Sequence, residues 1–178
     1  LAVLAEDALP AAYERLEAVE SSGTQYIDTG YVPRAATPFV FEMAGAYTSL
    51  TANYQLMGEL STDKVQRYDF GINKQNKFII TTSAGGTAAD LREHRFVVNF
   101  ATGVFTMDGT TVATGAANSK DANLNFYLFA RRNWNGTSTT PNCQSRFRMR
   151  ACRLLQGGLV VRDFVPARRR SDKVNGLF

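Results

Sequence analysis

Apolar and polar residues alternate along most of the chain with a period of two, the spacing of a strand that buries one face. The pattern predicts strands at 39–47 (FVFEMAGAY), 68–72 (YDFGI), 77–82, 95–100, 103–107, 110–114, 124–130, 146–151 and 159–166. These segments are rich in β-branched and aromatic residues, which fit a pleated, half-buried surface. Turn residues separate them at 73–76 (NKQN), 83–86 (SAGG), 108–109 (DG) and 156–158 (QGG). Asp108-Gly109 suits a two-residue hairpin turn in which both central residues take positive φ. That turn sets Met107 opposite Thr110 and Phe105 opposite Val112. In GTQYIDTGYVP (23–33), alternation puts Tyr26, Asp28 and Gly30 on one face and Ile27, Thr29 and Tyr31 on the other. Asp28 is expected to hold a loop or turn there. Residues 11–19 break the trend, since their Ala, Glu, Arg and Leu favour a helix on propensity alone. Many short strands with close turns and no internal repeat predict an all-β domain built as a two-sheet antiparallel sandwich.

The two ends of the chain carry more specific patterns. One is Leu16, Glu17, Val19, Glu20, Ser21, then Gly23 through Gly30; the other is Val161 through Pro166 with the close at Gly176 to Phe178. In these residues the chain resembles the laminin-G-like and concanavalin A-like domains of bacterial and phage surface proteins. LFARRNWNG (128–136) is similar to that family's Phe-Ala-Arg-Asn segment, with one extra Arg. The resemblance runs from Tyr13 to the end. It implies an N-terminal extension at 1–12 and a jelly-roll domain at 13–178, with one concave and one convex sheet. It also moves residues 15–20 from helix to strand, and it implies a secreted, cell-surface or virion-surface location. Related sandwiches often carry calcium on loop carboxylates and carbonyls. No loop here has that pattern, so no ligands are assigned, and no other cofactor is expected. The family does not fix an activity. Its members serve as carbohydrate-binding modules, adhesion domains, spacers and, distantly, glycosidases.

Composition narrows the classes. The chain is 44% hydrophobic and 20% charged, which suits a folded domain. No apolar run reaches the roughly 20 residues of a membrane helix. The chain opens on Leu1, and processing upstream of it is expected. Charge is split along the chain. Residues 1–130 hold 9 Lys and Arg against 14 Asp and Glu, a net −5; residues 131–178 hold 11 against 2, a net +9. Either the fold intermixes these charges or the last third builds a basic surface. Cys143 and Cys152 flank a predicted strand, which holds them too far apart for a disulfide, and two buried thiols are expected.

Catalytic patterns are sparse. A sandwich glycosidase sets its carboxylates at alternate positions of one strand. No such run exists, although Asp63 with Asp69, or Glu42 with Glu59, could converge in space. His94 is the sole histidine and, among charged neighbours, reads as a surface residue before a strand. Zinc spacing, a phosphate loop and a dinucleotide fingerprint are all missing. Two binding features stand out. Trp134 lies in a polar stretch, where its ring either stacks on a sugar, with Arg132, Asn133 and Asn135 bonding hydroxyls, or folds back over a sheet edge. Arg146, Arg148 and Arg150 share one strand face, with Phe147 and Met149 toward the core. That face is either solvated or a basic strip for an acidic glycan or neighbour. Nucleic acid is disfavoured, because the aromatics alternate onto the core side instead of forming a stacking platform. Three readings follow. The first is a non-catalytic extracellular module binding carbohydrate or a surface ligand. The second is a self-assembling structural subunit of a filament, cell surface or virion, joined through the N-terminal extension and charge asymmetry. A glycoside hydrolase is the weakest.

Overall fold

A computed structural model describes residues 9–51, 53–60, 67–81, 83–134 and 137–177. Among the described residues the chain forms eighteen β-strands and no helix. In chain order they are β1 (Tyr13–Arg15), β2 (Val19–Ser22), β3 (Ile27–Asp28), β4 (Phe39–Tyr47), β5 (Tyr54–Leu60) and β6 (Arg67–Ile72). Next come β7 (Lys77–Ile80), β8 (Ser83–Ala88), β9 (His94–Asn99), β10 (Val104–Met107), β11 (Thr110–Thr114) and β12 (Tyr127–Leu128). The last six are β13 (Arg131–Trp134), β14 (Thr139–Asn142), β15 (Arg146–Gln156), β16 (Leu159–Phe164), β17 (Pro166–Arg169) and β18 (Asn175–Leu177). Among the described residues no helix is long and apolar enough to cross a membrane.

These strands make three sheets. The first has seven strands in the order β11-β10-β9-β4-β15-β16, with β2 also on β15. β15 pairs with β4 along one edge; on its other edge β2 takes Arg146–Met149 and β16 takes Cys152–Gln156. The second has eight strands, with β14-β13-β5-β6-β7-β8 as its path and β12 and β3 attached beside β5. Its pairings are antiparallel except β13 on β5, which is parallel. A small sheet, β1-β17-β18, joins the two ends of the domain.

The alternating sequence explains how the two large sheets meet. On β4 every odd-numbered residue from Phe39 to Tyr47 is buried and the residues between are half-buried. Rings from the first sheet interleave with rings from the second. Phe105 lies 4.8 Å from Phe70 and 4.9 Å from Phe78, centroid to centroid, and Phe96 lies 5.9 and 5.8 Å from the same two.

Several expectations shift. Residues 13–15 and 19–22 are strand, not helix, because Tyr13–Arg15 pairs with β17 and Val19–Ser22 with β15. These long-range ladders outweigh a weak local propensity. The hairpin turn has positive φ at Asp108 (52°) and Gly109 (81°), and Met107 faces Thr110 as expected. Phe105, however, faces Ala113 instead of Val112, because the register slips between Phe105 and Thr106. The bulge lets both Val112 and Ala113 pack against the core. GTQYIDTGYVP yields only the two-residue β3, and Gly30 turns the chain with φ 63°. Asp28 does hold that turn, accepting the Gly30 N–H at 2.9 Å. Cys143 and Cys152 are not joined in a disulfide, and only the second is fully buried, the first being half-buried.

Gly45 sets the spacing of β4 and β15. A Cβ there would lie 2.2 Å from the Arg148 carbonyl oxygen and 2.5 Å from the Phe147 ring. Gly45→Ala is expected to cost about 3 kcal/mol in urea denaturation, and an unchanged midpoint would contradict this packing.

Candidate functional site

The second sheet bends sharply after β12. Phe129 has φ 63°, a region a bulky residue rarely occupies. Its N–H donates to Leu56 O at 2.8 Å, and its carbonyl accepts from the Ser145 N–H at 2.6 Å and the Ser145 hydroxyl at 3.3 Å. Its ring is buried. The bend ends the predicted strand 124–130 early and sends β13 back beside β5. Strained backbone of this kind persists where the surroundings hold it, and it often marks a working region.

The bend places two arginines on two different partners. Arg131 Nη1 meets Asp69 Oδ2 at 3.3 Å, and Asp69 is fully buried. Gly58 pairs with Asp69 across the β5–β6 ladder, and a Cβ on it would lie 2.2 Å from Asp69 Oδ1. A bare backbone at 58 therefore leaves room for the carboxylate. Arg132 turns elsewhere. Its guanidinium carbon stands 5.3 Å from the centre of the Tyr127 ring, and its Nη1 lies 3.9 Å from Asp28 Oδ2. Tyr127 stacks on Tyr26 with centroids 4.5 Å apart, and Tyr26 as a residue is 44% exposed. The Asn125 side-chain amide donates to Asp28. An open aromatic face thus sits beside a carboxylate, an amide and a guanidinium.

The residues read from the sequence are only partly brought together. Trp134 and Asn133 are half-buried at the end of β13, in a ladder with Thr139 and Thr140, and are not in a loop. Alternation puts Arg132 and Trp134 on one side of β13 and Arg131 and Asn133 on the other. Asn133 Oδ1 is buried with no hydrogen bond among the described residues. Asn135 lies outside the described residues. Tyr26, Asp28, Asn125 and Tyr127 escaped the sequence reading. For Tyr26 and Asp28 the signal was the exposed face of the 23–33 segment, which alternation did separate correctly.

Of the three arginines, Arg146 and Arg148 share the outer face of β15. Phe147 and Met149 are fully buried, while Arg146 and Arg148 are exposed. Arg150 departs from it. It occupies a bulge, since Met149 and Ala151 face consecutive residues Gly45 and Ala44 of β4. There it pairs with Glu17 and, at 2.6 Å, with Glu93, while Arg148 lies 3.8 Å from Glu17. The Arg150 hydrogen bond and charge, with Arg148 behind, hold the Glu17 carboxyl below its usual range. The charge split is resolved the same way. Arg131, Arg132, Arg148, Arg150, Arg168 and Arg170 each meet a carboxylate from the first 130 residues.

Of the carboxylate pairs considered for hydrolysis, Glu42 and Glu59 do not meet. Glu42 is on the half-exposed face of β4 beside Arg95, and the core layer separates it from Glu59 on β5. Glu59 faces with Tyr68 and Asp69 faces with Gly58, so these two lie on opposite sides of their sheet. Asp63 lies outside the described residues. Among the described residues no group of three or more His, Cys, Asp or Glu is placed to hold a metal ion. His94 is not at the surface. Its side chain is 8% exposed, because Asp90 and Asp108 enclose it.

Arg131→Met takes the guanidinium away from the buried Asp69 carboxylate and is expected to cost on the order of 3–5 kcal/mol in urea denaturation. A change below about 1 kcal/mol would show that the pair is screened as at a surface. No protein-family model matches the chain, and no curated protein matches it.

Proposed function

We propose that the chain is a non-catalytic binding module of the laminin-G-like, concanavalin A-like kind. It would act as a jelly-roll domain outside the cell, or on a cell or virion surface, and bind carbohydrate. The jelly-roll reading draws support from two mainly antiparallel sheets facing each other across one aromatic layer. The carbohydrate reading is carried by a single observation, the exposed Tyr26 ring stacked on Tyr127 beside Arg132, Asp28 and Asn125. A pyranose offers a face of C–H groups to an aromatic ring and hydroxyls at its rim. Tyr26 suits the first and the polar side chains suit the second. Trp134, on the Arg132 side of β13, extends the same surface toward a second sugar ring. The site is open. A small cavity elsewhere, lined by Arg34, Thr37, Phe39, Tyr68, Phe100 and Asn118, has a volume of about 10 Å³, far less than the roughly 300–1,000 Å³ of small-molecule pockets. An open platform favours an extended glycan over a small metabolite.

One observation favours the second reading, a subunit that assembles with its own copies. β16 is an outer strand of its sheet, and Leu159 and Val160 on it are 73% and 51% exposed. Such an edge can pair with another strand. The charge split lends this reading no support, because six arginines of the last third find carboxylates within the chain.

A glycan array of neutral and uronic oligosaccharides, followed by calorimetry on the hits, tests the module. Tyr26→Ala and Trp134→Ala are each expected to weaken binding roughly 3- to 10-fold. Unchanged affinity in both variants would remove this surface from the site. No binding to any glycan, together with concentration-dependent oligomers in sedimentation, would transfer support to assembly.

A further inference from the structure

His94 opens β9 and sits between two aspartates from different parts of the chain. Its Nδ1 lies 2.6 Å from Asp108 Oδ2 and its Nε2 lies 2.9 Å from Asp90 Oδ1. An ionised carboxylate only accepts hydrogen bonds. Both ring nitrogens must therefore donate, and an imidazole does so only when protonated. We propose that His94 is a protonation latch: the imidazolium ties the 90–93 segment to the Asp108-Gly109 hairpin, and the neutral ring releases that segment. This inference is independent of the carbohydrate reading.

The surroundings decide which side opens. The groups around the ring are Asp90, Arg92 and Glu93 from the preceding segment, Arg95 on β9 and Asp108 from the turn. Arg150 of β15 is tied in through Glu93. Beside His94, β4 presents the uncharged Ala44, Gly45 and Ala46. Asp108 has two further anchors, accepting the Arg95 N–H at 2.9 Å through Oδ1 and donating its own N–H to Arg95 O at 2.9 Å. Among the described residues, Asp90 otherwise accepts only within its segment, from the Arg92 N–H and Nε, both at 2.8 Å. On losing a proton, the ring keeps its N–H toward the anchored Asp108. It then points a lone pair at the Asp90 carboxylate, which is repulsive. The segment upstream stays fixed by the Ala89 N–H on Asn76 O at 2.8 Å. Release therefore covers 90–93 and reaches the Glu93–Arg150 ion pair.

The ionisation directions agree with this picture. Burial lowers the His94 pKa, but hydrogen bonds to Asp108 and Asp90 and their charges outweigh it, so the group stays protonated above its ordinary 6.5. Burial raises Asp90, but the His94 and Arg92 bonds hold it down at about 2. The Arg95 N–H, then His94, lower Asp108. A raised histidine stabilises the closed form fully below 6.5 and loses that contribution as pH rises through the folded value. The lowered aspartates keep their contribution down to acid pH, where Asp90 is lost near 2.

The experiment is ¹⁵N relaxation of residues 90–93 across the His94 titration, with the ring nitrogens observed in the same samples. Below pH about 6.5 the ring should carry two protons and the segment should show order parameters near 0.85; above the titration they should fall below about 0.6. In Asp90→Asn the side-chain amide can donate to the neutral ring, so the segment should stay ordered on both sides. Order that is flat across the wild-type titration would overturn the latch. So would a singly protonated ring at pH about 6, or the same loss of order in Asp90→Asn.

Discussion

The layer of aromatic rings between the two large sheets is the constraint on which the rest depends. Phe39, Phe41, Phe96, Phe105 and Phe147 come from the first sheet and Tyr68, Phe70 and Phe78 from the second, and all are fully or almost fully buried. Each such ring buries on the order of 150–250 Å². At about 25 cal/mol per Å² this dominates what holds a two-sheet domain against chain entropy. Because the rings occupy alternate positions, a one-residue slip of any strand would turn its rings to solvent. The ladder registers follow from that penalty.

Where the chain departs from strict alternation, charged groups gather. The bulge at Arg150 moves β15 from burying Phe147 and Met149 to burying Cys152 and Leu154. The arginine left at the changeover is clasped by Glu17 and Glu93. The left-handed turn at Phe129 likewise exchanges a buried strand for Arg131 and Arg132. Gly58, Gly45 and Gly71 clear space beside these irregularities, each leaving room that a Cβ would fill with a clash. The regular strands stabilise the domain, and the irregular joints carry its candidate chemistry.

This division explains what was legible in the sequence. β4 and β11 were readable residue for residue, because their patterns are local and periodic. β5 was not, because YQLMGEL is buried on both faces and shows no alternation. β8 was hidden by SAGG, which reads as a turn until β7 supplies a partner strand. The site was half legible. Arg132 and Trp134 stood out by residue type, but Tyr26, Asp28 and Asn125 join them only through pairing of β3 with β12. His94 was misread for a similar reason. Its two aspartates sit 4 and 14 residues away, and only the hairpin brings the second one to the ring.

The most direct measurement for the proposed role is chemical-shift mapping of the ¹⁵N-labelled domain against soluble neutral and uronic oligosaccharides. The account predicts saturable shifts centred on Tyr26, Asp28, Asn125, Tyr127 and 131–134, with the β15 arginines unmoved. Saturable shifts centred elsewhere, or none with any glycan, would contradict it.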